Sequence, residues 1–321
     1  MRAGSAVGFA LGASLVASAC GQDPRLGDDG QGRRPGTAGV AGGSSIILLD
    51  GGPGTAGNPG GGGTAAMNFV LPADYTAARV GGYKLNGSVT GGPRPAPNCT
   101  NELTGIVRDF RGGPPDGHPD FEKDIAQYRQ VSGLVEPLLG SDHKPVYAPP
   151  GPTDFTTGAD AFDEWYRSLA DQPHPNQAFY LTLFLLPDET NTYVFRSDDF
   201  FPLDGQGFGD QGRDHNFHFT FELHTTFTYR GGERFTFVGD DDVFVFVNDR
   251  LAVDLGGVHD QFDGTVRLDQ VAAEFGLVKG GTYPLEMFHA ERHTSGSTFR
   301  IETSIEFATC GEFVPDLRPP R

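Results

Sequence analysis

Gly239-Asp240-Asp241-Asp242-Val243-Phe244-Val245-Phe246-Val247-Asn248-Asp249 sets three adjacent carboxylates before an uninterrupted apolar run that ends in a turn dipeptide. Because Val243 to Val247 is apolar at every position, it is expected in the middle of a sheet covered on both faces. Asn248 and Asp249 tolerate positive φ and suit a two-residue hairpin, leading into a second strand from Arg250 to Leu255. The carboxylates need more explanation. Aspartates side by side at the edge of a core are costly unless a positive charge neutralises them. No Lys or Arg lies between Arg234 and Arg250. Oxygen donors of this kind suit a hard cation, calcium first, with Asp240, Asp241 and Asp242 as candidate ligands. The competing explanation is a solvated strand-entry loop.

The flanking sequence extends the β pattern. In Asn216-Phe217-His218-Phe219-Thr220-Phe221-Glu222-Leu223 apolar and polar residues alternate, which predicts a half-buried antiparallel strand. Thr298 to Phe307 repeats the alternation, and Arg234 to Phe237 does so more briefly. Helix signals are few; the clearest is Asp160 to Leu169, bounded by Gly158 and Pro173. The composition predicts a mostly β domain over residues 100–312, an antiparallel β-sandwich with long loops and few short helices. Residues 313–321 form a short tail, and residues 67–99 are a transition segment with no assigned fold.

The N-terminal part has a different character. Residues 1–20 combine a basic residue, an apolar run and small residues ending at Cys20, the layout of a signal peptide. Ala17-Ser18-Ala19-Cys20 resembles a bacterial lipobox, with Ala17 where Leu is preferred. It implies lipidation of Cys20 and an exported chain anchored to the bacterial outer membrane or cell surface. Residues 21–66 are dominated by glycine and are expected to be a disordered tether with a root-mean-square span of about 35–40 Å. The net charge of −18 repels phosphates and anionic headgroups, so no nucleic acid partner is expected, and membrane contact only through the lipid. Besides Cys20 the chain has only Cys99 and Cys310, which in an oxidising compartment suggest one disulfide. Closing so long a loop would contribute about 4–5 kcal/mol in the chain-entropy model.

Several ordered motifs together resemble the fibro-slime domain, a bacterial and amoebal extracellular module related to the PA14 β-sandwich. They are Leu103 to Phe110, His118-Pro119-Asp120-Phe121-Glu122, Phe200 to Asp204, Asn216 to Thr220, Phe237 to Asp242, Asp254 to His259 and Ala290 to His293. The resemblance implies a PA14-like sandwich. It also implies that Asp240 and Asp241 correspond to the paired aspartates that bind calcium, through an unusual cis peptide, in the lectin-like members. There the ion bridges the aspartates and sugar hydroxyls, with ligands from a second loop. This chain departs from that pattern at Asp249, where Gly is usual, and in its third aspartate, Asp242.

Other constellations are weaker. Glu291 and Arg292 are expected at a strand end near the acidic loop, as second-loop ligand and counter-charge, against a plain surface salt-bridge cluster. His259 is placed in a loop that would approach the same site, and Asp198 and Asp199 form an acidic patch flanked by aromatics that would suit a sugar groove. His215 and His218 point to opposite faces of an extended segment and are read as structural. No Gly-x-Ser-x-Gly, HExxH, P-loop or dinucleotide-binding pattern is present, so no enzymatic activity is expected. The function expected is a surface-anchored extracellular binding or adhesion module with Ca²⁺-dependent recognition of carbohydrate or a matrix polymer. The alternatives are a structural matrix protein in which calcium only stabilises loops, and an accessory or cryptic glycoside hydrolase module.

Overall fold

The computed structural model describes residues 80–90, 101–168, 173–188, 190 and 192–313. The signal peptide, Cys20, the tether, Cys99 and residues 314–321 lie outside them. Among the described residues, twelve strands form two antiparallel sheets: β1 Gly82–Ser88, β2 Glu102–Asp109, β3 Gln177–Phe184, β4 Leu186–Pro187, β5 Tyr193–Ser197, β6 Phe219–Thr228, β7 Arg234–Gly239, β8 Asp242–Val247, β9 Arg250–Leu255, β10 Phe262–Arg267, β11 Thr282–Glu291 and β12 Phe299–Thr303. The larger sheet has the order β1-β3-β2-β6-β11-β8-β9 and the smaller β10-β7-β12-β5-β4. Between them Phe219, Phe221, Leu223, Val243, Val245, Leu285 and Met287 of one sheet meet Phe195, Phe235, Phe237, Phe299 and Ile301 of the other. Phe237 and Phe299 pack edge to face at 4.9 Å, a geometry that adds to the area buried. A mostly β antiparallel sandwich is the observed class.

β8 is buried at every residue, as its apolar run requires. Asn248 and Asp249 follow with φ of 50° and 61°, the left-handed pair that a two-residue hairpin demands. β6 departs from expectation. Its polar residues Thr220, Glu222 and His224 are as buried as its apolar ones. The cause is a third layer. The long connection between β2 and β3 folds over the outer face of the larger sheet, and a second core of Phe110, Phe121, Phe162, Trp165 and Tyr166 packs there on Phe244, Phe246 and Phe288. The same connection runs beside the edge strand β9 through Val131 N to Gly256 O and Leu251 N to Pro137 O, removing an open edge.

The helix expected at 160–169 is a single turn, α1 Ala159–Phe162. Beyond it backbone carbonyls turn to side-chain donors: Thr220 Oγ1 donates to Trp165 O and Arg167 Nη1 to Asp163 O. A helix with no assignment from the sequence, α2 Leu268–Phe275, ends at Gly276 with φ 71°, the left-handed cap that glycine favours. The strand expected over 298–307 stops at Thr303 because the chain crosses to the larger sheet, where Ala308 N bonds Thr226 O. The unassigned segment 67–99 contains β1, which pairs with β3. Cys310 is buried beside β2, its carbonyl accepting Thr104 N.

Candidate functional site

The acidic run sits where β7 gives way to β8, at one end of the sandwich. The Asp240–Asp241 peptide is cis, as the resemblance implied. Backbone donors from three separate segments converge on it. Thr298 N donates to Asp240 Oδ1, and His289 Nε2 lies 2.8 Å from Asp240 O. Asp241 accepts His259 N at 3.1 Å and Arg292 N at 3.2 Å. Asp242 accepts Gly257 N at 2.7 Å through Oδ1 and Arg292 Nε at 2.7 Å through Oδ2.

Arg292 is therefore the through-space counter-charge. Its guanidinium is fully buried, lies 4.6 Å over the Trp165 ring, and donates from Nη1 to the carbonyls of Asp120 and Phe155. Asp120 is in turn locked by Trp165 Nε1 and Thr157. The His-Pro-Asp-Phe stretch thus holds the arginine in place. No sequence signal linked Trp165 and Asp120 to the acidic run, since the contact needs the β2–β3 connection to fold back over the sheet.

One arginine does not balance the site. Asp242 engages Arg292 with one oxygen and a backbone amide with the other. Asp240, Asp241 and Glu291 are left sharing the surplus. Glu291 is buried at the end of β11, and its Oε2 has no hydrogen-bond partner among the described residues. Burial pushes the Glu291 carboxyl well above its ordinary range, and Asp241 and Asp240 push it further. Burial likewise raises Asp241 well above normal, with Arg292 opposing and Asp242 and Asp240 adding to the rise. Desolvated, under-compensated oxygens of this kind are the type that suits a hard divalent cation. Glu291 keeps an oxygen without a hydrogen-bond partner, whereas both oxygens of Asp241, like those of Asp242, accept hydrogen bonds.

The other expected residues divide. Asp199 bridges to Ser297, next to Thr298, so its loop lies beside the acidic run. Asp198 does not join it: Arg196 holds both its oxygens in an exposed pair. His259 reaches the site through its backbone, while its ring lies against the carbonyls of Asp260 and Leu255. His218 and His215 are structural, bonded to Glu122 and Asp204 respectively.

Two exposed aromatic residues flank the acidic run and were not anticipated. Phe262 is 46% exposed, pairs in register with Gly239 and packs edge-on against His259. Tyr128 is 48% exposed, and its hydroxyl lies 3.1 Å from the Nδ1 of His293, the residue after Arg292.

The family model of the PA14 domain matches residues 201–312. Protein psiD of Dictyostelium discoideum is 39% identical over 211 residues, covering 60% of this chain and 40% of psiD. Protein psiC of the same organism is 36% identical over 216 residues, covering 61% and 41%. The match thus spans about two fifths of each of these relatives. Among solved structures, the PA14 domain of the MpAFP antifreeze protein aligns with 70% of this chain and 94% of its own, at 9% identity and a TM-score of 0.25. The matched residues take in every strand from β6 to β12, and this part of the β domain is similar to PA14.

Proposed function

We propose that the folded region is a fibro-slime-type extracellular binding module in which Ca²⁺ links Asp240, Asp241 and Glu291 to a carbohydrate or matrix polymer. The observation that carries it is the buried charge imbalance: Arg292 is spent on Asp242, and Glu291 keeps an unpartnered oxygen. PA14 domains are carbohydrate-binding and adhesion-type modules. Calcium at such a site would offer open coordination positions to vicinal hydroxyls, which suits sugar recognition without a deep apolar pocket. Phe262 and Tyr128 would supply the apolar faces on which sugar rings pack. Asp242 and Arg292 position the run from behind, and Asp199 borders it. In this proposal the module has no catalytic role. It is exported, tethered through Cys20, and closed by a Cys99–Cys310 disulfide.

A glycan array probed with and without chelator tests the function. Chelator-sensitive binding that falls in Tyr128→Ala or Phe262→Ala supports it. Array silence beside intact calcium uptake would favour the structural matrix protein, in which the ion only orders the loops.

A further inference from the structure

The hairpin at the opposite end of β8 gathers a second group of donors, about 20 Å from the acidic run by strand rise. His143 Nδ1 lies 3.4 Å from Asp249 Oδ1 and 3.6 Å from Glu286 Oε1, and the three ligand atoms are all within 4.8 Å of one another. Glu286 is only 2% exposed. Its Oε2 and Asp249 Oδ1 are buried atoms with no hydrogen-bond partner among the described residues. Leaving such oxygens unpartnered is costly. The group borders an open cleft of about 620 Å³ lined also by Asn248, Phe275 and Gly276.

The donors are held in place from both sides. Lys144, next to His143, is buried in an ion pair with Glu222, and Gly140 N bonds Lys144 O, which fixes the short loop carrying the histidine. Asn248 Nδ2 donates to Phe275 O at 2.7 Å, tying the hairpin to the end of α2. Zinc with ligand bonds of about 2.0–2.1 Å in a tetrahedron separates its ligands by about 3.4 Å. The two measured nitrogen–oxygen separations lie close to that spacing. We propose that His143, Asp249 and Glu286 form a zinc-class divalent metal site with three protein ligands, its fourth position open to the cleft. One imidazole and two carboxylates suit a borderline ion better than calcium.

A second grouping, His118, Glu164 and His174, is less able to bind. His118 Nδ1 accepts Asp120 N, and Nε2 lies 3.0 Å from Ala161 O, so neither nitrogen offers a free lone pair.

The test is titration of Zn²⁺ into the metal-stripped full chain with excess Ca²⁺ present, followed by Co²⁺ substitution. The proposal expects one zinc, tetrahedral-type cobalt bands in the visible spectrum, and affinity at least about tenfold weaker in His143→Gln and Glu286→Gln. His174→Gln should bind as the wild type does. Should Glu286→Gln fail to fold, Asp249→Asn on the half-exposed hairpin substitutes for it. The proposal is overturned if the folded wild type takes up no zinc at micromolar concentration. It is equally overturned if affinity is unchanged in His143→Gln and Asp249→Asn, or is lost in His174→Gln instead.

Discussion

Two buried charge clusters lie between the larger sheet and the loop layer that covers it, and they are balanced in opposite ways. Around Glu222 buried cations meet the carboxylate directly. Arg108 Nη1 donates to Glu222 Oε2 at 2.8 Å, Lys144 Nζ pairs with Oε1, and His224 Nε2 lies 3.1 Å away. Burial alone would raise the Glu222 carboxyl, yet Arg108 and then Lys144 hold it well below its usual range. Around Arg292 the anions are in excess, and Asp241 and Glu291 are raised instead. The first cluster satisfies its carboxylate internally, as a structural ion-pair network does. The second leaves carboxylates under-compensated, and the proposed calcium site rests on that imbalance. Charge balance thus separates two groups that burial alone would not.

The largest expected effects come from breaking either cluster at its compensated partner. Arg292→Ala should cost about 3–5 kcal/mol, because Asp242 would stay buried without its ion pair; chemical denaturation with calcium absent measures it. Glu222→Gln should cost about 3 kcal/mol, removing the carboxylate that Arg108 and Lys144 both engage. The comparison sharpens with Glu291→Gln, where the sign should reverse. Removing an uncompensated carboxylate should leave calcium-free stability within about 1 kcal/mol of the wild type, or raise it, while calcium uptake weakens. A loss of several kcal/mol there would put Glu291 in the structural class.

A pH profile gives an effect of comparable size at most. Burial lowers His118 from 6.5 to about 4, so below 6.5 the unfolded chain binds the proton that the folded one refuses. The neutral imidazole's contribution is whole above pH 6.5 and is lost on descending to about 4. The full loss is up to about 3 kcal/mol. Glu222 titrates the same way further into acid, its folded pKa being depressed. His118→Gln should flatten the descent between pH 6.5 and 4. The smallest effect belongs to Tyr128→Ala and Phe262→Ala, which should change stability by no more than about 0.5 kcal/mol. These exposed side chains would matter only to a ligand.

How far the sequence reveals this arrangement depends on the range of the contacts. β8, its hairpin and β9 were legible from local pattern, because an all-apolar run and an Asn-Asp turn allow few alternatives. The burial of β6 on both faces was not, since alternation looks the same whether the polar side meets water or a further protein layer. The helix at 160–169 failed because Trp165 and Phe162 serve the second core and Thr220 takes a carbonyl the helix would need. The acidic run itself could be read from three adjacent aspartates. Glu291 as ligand and Arg292 as counter-charge were expected there, but which aspartate Arg292 pairs with was not legible, because only register brings Ala290 opposite Asp242. The hairpin donors were invisible for the same reason, His143 and Glu286 meeting Asp249 only through tertiary packing.

The most direct test of the central claim is calorimetric titration of Ca²⁺ into the metal-stripped protein beside an Asp240→Ala/Asp241→Ala double variant. The account predicts saturable uptake of one calcium by the wild type and its loss in the folded variant. A folded wild type that takes up no calcium, or a folded variant that binds it equally well, would contradict the assignment of the acidic run as a cation site.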